Sequence, residues 1–374
     1  MAGFTDVRAA RAGQKHLLSL MPHIYVCFLW HMHQPFYKDL VTGEYKLPWT
    51  RMHALKDYYG MVKVLEDFPE VRQTFNLVPS MMVQIEEYAS GAAADPFLRA
   101  ALAPAEDLTD RDREFILQYF FQANPQRMIY RYPRYGELFD EWQAAGGNPI
   151  QFKRAFSNQA MRDLQVLSQL AWFDEEFHEH DEFIGSLARK GRDFSVEEQR
   201  MLGRKQEEVI SHVIPVYRDF AAKGQIEIST TPFYHPILPL LCDTQIAELA
   251  HPYVPLPTRF RYPEDAEHQL LTARDYMERT FGIAPTGLWP SEGSVSDESM
   301  NLAAKSGFKW FATDNGVLGR TLNQNPNPQV TYQPYIWSQG DRQLHCIFRD
   351  HYLSDLIGFV YARMGADEAA THFL

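Results

Sequence analysis

Six short runs of apolar, β-branched or aromatic residues each stop at a polar cluster, and that repeated ending narrows the folds open to this chain. "HIYVCFLW" runs into His31, His33 and Gln34, and "VRQTFNLV" carries Asn76 near its end. "GQIEIST" leads to Thr231 and His235, and "TGLWP" leads to Glu292. "FKWFATD" ends on Asp314, and "LHCIFRDH" ends on Asp350 and His351. Helical patterns such as "AEHQLLTARDYMERTFG" and "SMNLAAKSGF" lie between them. Strands alternating with helices predict a parallel sheet. In a β/α barrel the C-terminal strand ends form the face where active sites are built. An open doubly wound sheet also binds ligands there. The chain carries no GxGxxG or Walker A pattern to mark a nucleotide crevice. The expected fold is therefore α/β, a barrel.

Residues 80–222 interrupt the alternation with three long helical patterns, and the expectation is a helical insertion on one barrel loop. The last, "SVEEQRMLGRKQEEVISHVIPVYRDFAAKG", opens on a capping box, Ser195 with Glu198 three residues on, and has Gly224 just past its end. Residues 1–21 are basic but lack the apolar core and small-residue cleavage site of a signal peptide, so they are expected to be a disordered leader. Three scattered cysteines, Cys27, Cys242 and Cys346, form no CxxC pair. That argues against a disulfide framework or a thiolate zinc site and fits a reducing compartment, the cytoplasm. No run approaches 18 apolar residues, so no membrane span is expected. A net charge of −12 lacks the basic footprint that nucleic acid or an anionic membrane requires.

"GLWPSEGSVSDES" holds Glu292 between a Trp-Pro turn and a Ser-Gly-Ser stretch, a mix that neither a helix nor a strand interior tolerates well. Trp289 offers a stacking or desolvating wall beside that acid, and Asp314 and Asp350 offer further carboxylates at other strand ends. In "WHMHQPFY" an extended backbone turns the His31 and His33 rings to the same side. Such a pair is a half-site for zinc; the alternatives are a single sugar-binding His and a structural one. "TTPFYHPILPLL" crowds three prolines around His235, which predicts a rigid loop holding an imidazole in place.

These strings resemble glycoside hydrolase family 57: "HQP" after the first strand, "GQIEISTTPFYHPILPLL", "GLWPSEGSVSDE" followed by "WFATDNGVL", and "FRDHYLSDLIGFVY". The last is similar to amylopullulanase-type members, and the resemblance runs from about residue 22 to the C-terminus. It implies a distorted (β/α)7 barrel and a retaining α-glucan-active glycosidase or transglycosidase, with no catalytic metal or other cofactor. By motif, Glu292 is the implied nucleophile, and His33, His235 and Trp289 fall in regions implied to line the sugar site; His31, Asp314 and Asp350 are further candidates for binding sugar hydroxyls from their strand-end positions alone. The implied proton donor is an Asp in a "DGEN"-like strand after "FRDHYLSDLIGFVY", and no such segment occurs here. With six strand candidates where the fold has seven, the chain is expected to be truncated. The alternatives are a metal-dependent deacetylase-like or mannosidase-like barrel hydrolase using His31 and His33, and a non-catalytic carbohydrate-binding protein.

Overall fold

Eight strands form one sheet in the computed structural model, which describes residues 25–374 and the backbone of Thr5–Asp6. The leader expected over residues 1–21 otherwise lies outside the described residues. The strands are β1 (Thr5–Asp6), β2 (Leu29–Met32), β3 (Gln73–Leu77), β4 (Ile226–Thr230), β5 (Gly287–Leu288), β6 (Trp310–Asp314), β7 (Tyr335–Gln339) and β8 (Arg342–Arg349). Their order in the sheet is β1-β7-β8-β6-β5-β4-β3-β2. The pairs β2–β3, β4–β5, β5–β6 and β6–β8 are parallel. A mainly parallel sheet interleaved with helices is the α/β architecture of a distorted (β/α)7 barrel.

The six runs read from the sequence correspond to β2, β3, β4, β5, β6 and β8. Strand β7 is an addition. It pairs antiparallel with β8 across a tight turn at Gly340, whose φ of 63° suits a residue without a Cβ. β8 buries Leu344, Cys346 and Phe348 in alternation with exposed His345 and Ile347, so one of its faces joins the core and the other does not.

The described chain divides into two compact units. The sheet unit comprises the described residues within Met1–His33, together with Gln73–Pro79 and Glu227–Leu374. Its core packs Leu288, Phe311, Trp337 and Phe348 of the sheet against Leu270, Met300 and Phe308. Strand β5 opens on a residue that must let another side chain past. A Cβ on Gly287 would lie 2.0 Å from the Trp310 ring, which is itself held by a 2.8 Å hydrogen bond from Nε1 to Glu227.

The helical unit comprises Gln34–Arg72 and Ser80–Ile226. The Ser195 capping box forms as its sequence predicts, with the hydroxyl accepting from the Glu198 N–H and the Glu198 carboxylate accepting from the Ser195 N–H. The single long helix expected beyond it breaks at His212 into Val196–Ser211 and Val213–Ala222. Pro215 explains the break, because it has no N–H to donate to the carbonyl of Ser211 and its ring crowds that carbonyl.

At the centre of this unit Arg51 is 1% exposed. Its Nε donates to Asp95 at 2.9 Å, and its Nη1 donates to Gln169 and Gln206 at 2.7 and 2.6 Å. One guanidinium thus ties helix Trp49–His53 to helices Asn158–Leu170 and Val196–Ser211.

Gly287→Ala is expected to lower unfolding free energy by about 1–3 kcal/mol, the usual cost of overpacking a full core. Urea denaturation measures it, and a loss within about 0.5 kcal/mol, the ordinary scatter of harmless substitutions, would contradict the close approach of Trp310.

Candidate active site

Parallel pairing sets His31 of β2 directly beside Asn76 of β3. The fully buried Asn76 accepts from His31 Nδ1 at 2.8 Å and donates to the Ser229 hydroxyl of β4 at 3.1 Å. An amide oxygen can only accept, so the hydrogen on His31 sits on Nδ1 and the Nε2 lone pair is left free of that bond. One amide therefore links three strand ends and fixes an imidazole tautomer.

The other two histidines gather against His31. Ring centroids are 5.6 Å apart for His31 and His33, 5.2 Å for His31 and His235, and 3.9 Å for His33 and His235. The Trp289 indole tilts against His31 at 5.8 Å. The segment 231–237 is a loop, followed by a helical turn at Leu238–Cys242. His235 occupies the left-handed region there, with φ 57°. A bulky non-glycine residue seldom adopts that conformation, and such strain clusters at functional sites.

Glu292 shares the same unusual backbone. Beyond β5 the ladder continues for one bond, from the Trp289 N–H to the Thr230 carbonyl at 2.9 Å. The chain then turns through Ser291–Gly293, where Glu292 has φ 56° and Gly293 has φ 66°. Two hydrogen bonds pin this turn, Gly293 N–H to the Pro290 carbonyl at 2.8 Å and the Thr313 hydroxyl to the Gly293 carbonyl. With Pro290 and Ser291 buried, the Glu292 side chain projects outward, 69% exposed. Its Oε1 lies 3.8 Å from His235 Nδ1. The Trp-Pro-Ser-Glu-Gly sequence is thus a device for lifting one carboxylate off the end of a strand.

Asp314 and Asp350 are differently employed. Asp314 Oδ2 accepts from Arg349 Nε at 2.8 Å and from His351 Nδ1 at 2.9 Å, and Oδ1 caps the helix that follows through the Gly316 N–H. Burial pushes the Asp314 carboxyl up, but the hydrogen bonds from His351, the Gly316 N–H and Arg349 outweigh it and hold the group below its ordinary value. The same contact pushes His351 up. Asp350 caps helix His351–Asp355 through the Leu353 N–H at 2.8 Å and accepts from the Tyr332 hydroxyl at 2.5 Å. Both acids therefore spend hydrogen-bonding capacity on local structure, whereas Glu292, His31, His33, His235 and Trp289 converge.

Desolvation lowers all three imidazoles. It brings His235 down to about 3, with neighbouring His33 and His31 pushing the same way. His31 falls to about 4 for the same first reason, against the raising effect of its bond to Asn76. His33 is lowered by burial, opposed by the charge of Glu292. His31 keeps an exposed edge, so the burial argument is firmest for His235, whose side chain is 5% exposed. The cluster is neutral near pH 7, a set of lone pairs and N–H groups facing one carboxylate. His235 Nε2 is buried without a hydrogen-bond partner.

One nitrogen from each of His31, His33 and His235 lies within 4.8 Å of the others, so among the described residues these three are the group able to hold a metal ion. The third nitrogen donor that the sequence left unidentified is His235. Zinc binds imidazole at about 2.0–2.1 Å in tetrahedral geometry, which requires the nitrogens to draw closer and the stacked rings to rotate. Sequence reading left Asn76 as an ordinary strand-end residue and passed over Arg349. Their roles follow from register, His31 beside Asn76 and Asp314 beside Arg349, which is a property of pairing rather than of either strand alone.

The model of glycosyl hydrolase family 57 matches residues 27–374. No curated protein sequence matches the chain. Among solved structures, the α-amylase AmyC from Thermotoga maritima aligns with TM-score 0.45 and 13% identity, covering 88% of this chain and 46% of its own. A GH57-type branching enzyme from Pyrococcus horikoshii aligns with TM-score 0.42 and 15% identity over 87% of this chain and 46% of its own. A 4-α-glucanotransferase from Thermococcus litoralis aligns with TM-score 0.43 and 13% identity over 93% and 30%. The chain thus spans less than half the length of each.

The buried imidazoles make stability depend on pH. An unfolded histidine titrates near 6.5, whereas His235 in the folded chain stays neutral down to about 3. Its contribution is present above the unfolded value and is lost as pH falls from there toward the folded value. The slope is at most about 1.4 kcal/mol per pH unit for one group. Urea unfolding between about pH 7 and about pH 5 should steepen less in His235→Gln than in the parent chain. Equal slopes would contradict a neutral, desolvated His235.

Proposed function

The chain belongs to glycosyl hydrolase family 57, and from that membership we propose that it acts on α-glucans as a retaining glycosidase or transglycosidase with Glu292 as nucleophile. The observation that carries the reading is the strained turn that presents the Glu292 carboxylate beside three neutral imidazoles. A retaining reaction needs a carboxylate that is ionised, accessible and fixed in direction so that it can attack the anomeric carbon. Neutral imidazoles both donate to and accept from sugar hydroxyls. Trp289 supplies an apolar face for the ring.

A retaining glycosidase also needs a proton donor for the leaving oxygen. Asp314 is a poor one, since Arg349 and His351 hold it in its charged form. Donors with good leaving groups bypass that need, and they isolate the role of Glu292.

A second reading, a metal-dependent hydrolase, draws on the proximity of the three histidine nitrogens. Metal analysis separates it from the first. Under the proposal, activity persists in a strong chelator, and His33→Ala or His235→Ala weakens sugar binding while leaving metal content as it was. Chelator-sensitive turnover restored by stoichiometric zinc would give the second reading precedence.

The stereochemical test is sharper. Replacing Glu292 by Ala should lower turnover of an aryl α-glucoside by a factor on the order of 10³ or more, as for loss of a nucleophile that works within a catalytic unit. Azide added to that variant should take the place of the missing carboxylate and give the inverted β-glucosyl azide. Full activity in Glu292→Ala, or an azide product of retained configuration, would remove Glu292 from the nucleophile's role.

A further inference from the structure

The turn that carries Glu292 holds two left-handed residues in succession, Glu292 at φ 56° and Gly293 at φ 66°. A residue with a side chain is strained there, and the strain persists only where the surroundings oppose its release. Two of the turn's hydrogen bonds, Gly293 N–H to Pro290 and Ser294 N–H to Ser291, lie within the turn itself. They shape it but do not aim it. Its direction relative to the sheet is set by bonds to other strands. At its start the Trp289 N–H is bonded to Thr230 of β4, and at its end the Gly293 carbonyl accepts from the Thr313 hydroxyl of β6. Glu292 lies between these two anchors.

Thr313 is a fixed donor. Its side chain is fully buried. Register places it beside Phe348 of β8, and places the next residue, Asp314, beside Arg349. Arg349 and His351 donate to the Asp314 carboxylate at 2.8 and 2.9 Å, so the end of β6 is held from its β8 side. Gly293 fits closely against that end. A Cβ built on it would lie 3.5 Å from Thr313 Oγ1 and 3.8 Å from both the Asp314 nitrogen and the Trp289 ring.

We propose that Thr313 is a positioning residue for the reaction, its hydroxyl fixing the direction in which the Glu292 carboxylate leaves the sheet. The inference rests on Glu292 as the nucleophile. Attack on an anomeric carbon tolerates little error of approach, and a displacement of about 1 Å costs on the order of a hundredfold in rate. A hydroxyl that served stability alone would act equally on any nucleophile in the site. One that aims the turn matters only to a nucleophile attached to the turn.

Thr313→Val keeps the β-branched shape and removes the donor. With an aryl α-glucoside, kcat is expected to fall at least about tenfold while KM stays within about twofold, the pattern of an interaction that acts in the transition state. Thr313→Ser retains the donor and should remain within about twofold of the parent in both constants. The discriminating measurement places Thr313→Val in the Glu292→Ala background with azide as the nucleophile. Azide diffuses freely, so turnover there should change by less than about twofold. Equal losses in the two backgrounds would assign Thr313 to the fold alone and overturn the inference, leaving Glu292 in its role. So would a Thr313→Val chain with the parent's kcat. Where circular dichroism shows Thr313→Val unfolded, Thr313→Cys, whose thiol is a weaker donor, carries the same comparison. Full activity in Glu292→Ala would overturn the nucleophile assignment and this inference together.

Discussion

Parallel strand pairing is the constraint on which the site depends. In a parallel sheet every strand delivers its last residues to the same edge, so polar groups far apart in sequence meet without a dedicated scaffold. His31, Asn76 and Ser229 are joined by hydrogen bonds across β2, β3 and β4, although Asn76 lies 45 residues from one partner and 153 from the other. Asp314 and Arg349 meet in the same way across β6 and β8. Moving a strand by one residue would turn these side chains to the opposite face. The chemistry of the site is therefore written in register.

Strain marks the two residues that matter most to the proposed reaction. His235 and Glu292 both hold left-handed backbone conformations and lie 3.8 Å apart through Nδ1 and Oε1. Neither is glycine, so each conformation costs free energy that the surrounding packing must offset. Pro236 beside the first and Pro290 before the second restrict the alternatives open to the unfolded chain. Hydrogen bonds from Thr313 and Gly293 hold the second turn closed. Rigid presentation of a carboxylate is what covalent catalysis at an anomeric centre requires.

Much of this was legible in the sequence, for definite reasons. Six strands could be read because each combines β-branched or aromatic residues with a polar stop, and the Ser195 capping box because its signal is local. Helices running to Gly224 and Gly282 were visible from their terminal glycines, which adopt φ 69° and 79°. Strand β7 was not visible, since five residues of "YIWSQ" become a strand only through pairing with β8. The break at His212 follows from Pro215, which lies inside the string read as one continuous helix. At the site, the residue types and their strand-end positions pointed to the cluster. The third imidazole joining His31 and His33, and the engagement of Asp314 by Arg349, depend on contacts between distant segments.

The central claim is that Glu292 forms a covalent bond to the sugar. A fluorinated α-glucosyl fluoride reacts without help from a proton donor and leaves an intermediate that is slow to hydrolyse. Incubating the chain with this reagent and sequencing the labelled peptide by mass spectrometry locates the attachment. The account predicts one glycosyl group per chain, on Glu292 in the peptide containing "GLWPSEGS". Label on Asp314 or Asp350, or no label on a folded chain that turns over aryl α-glucosides, would contradict it.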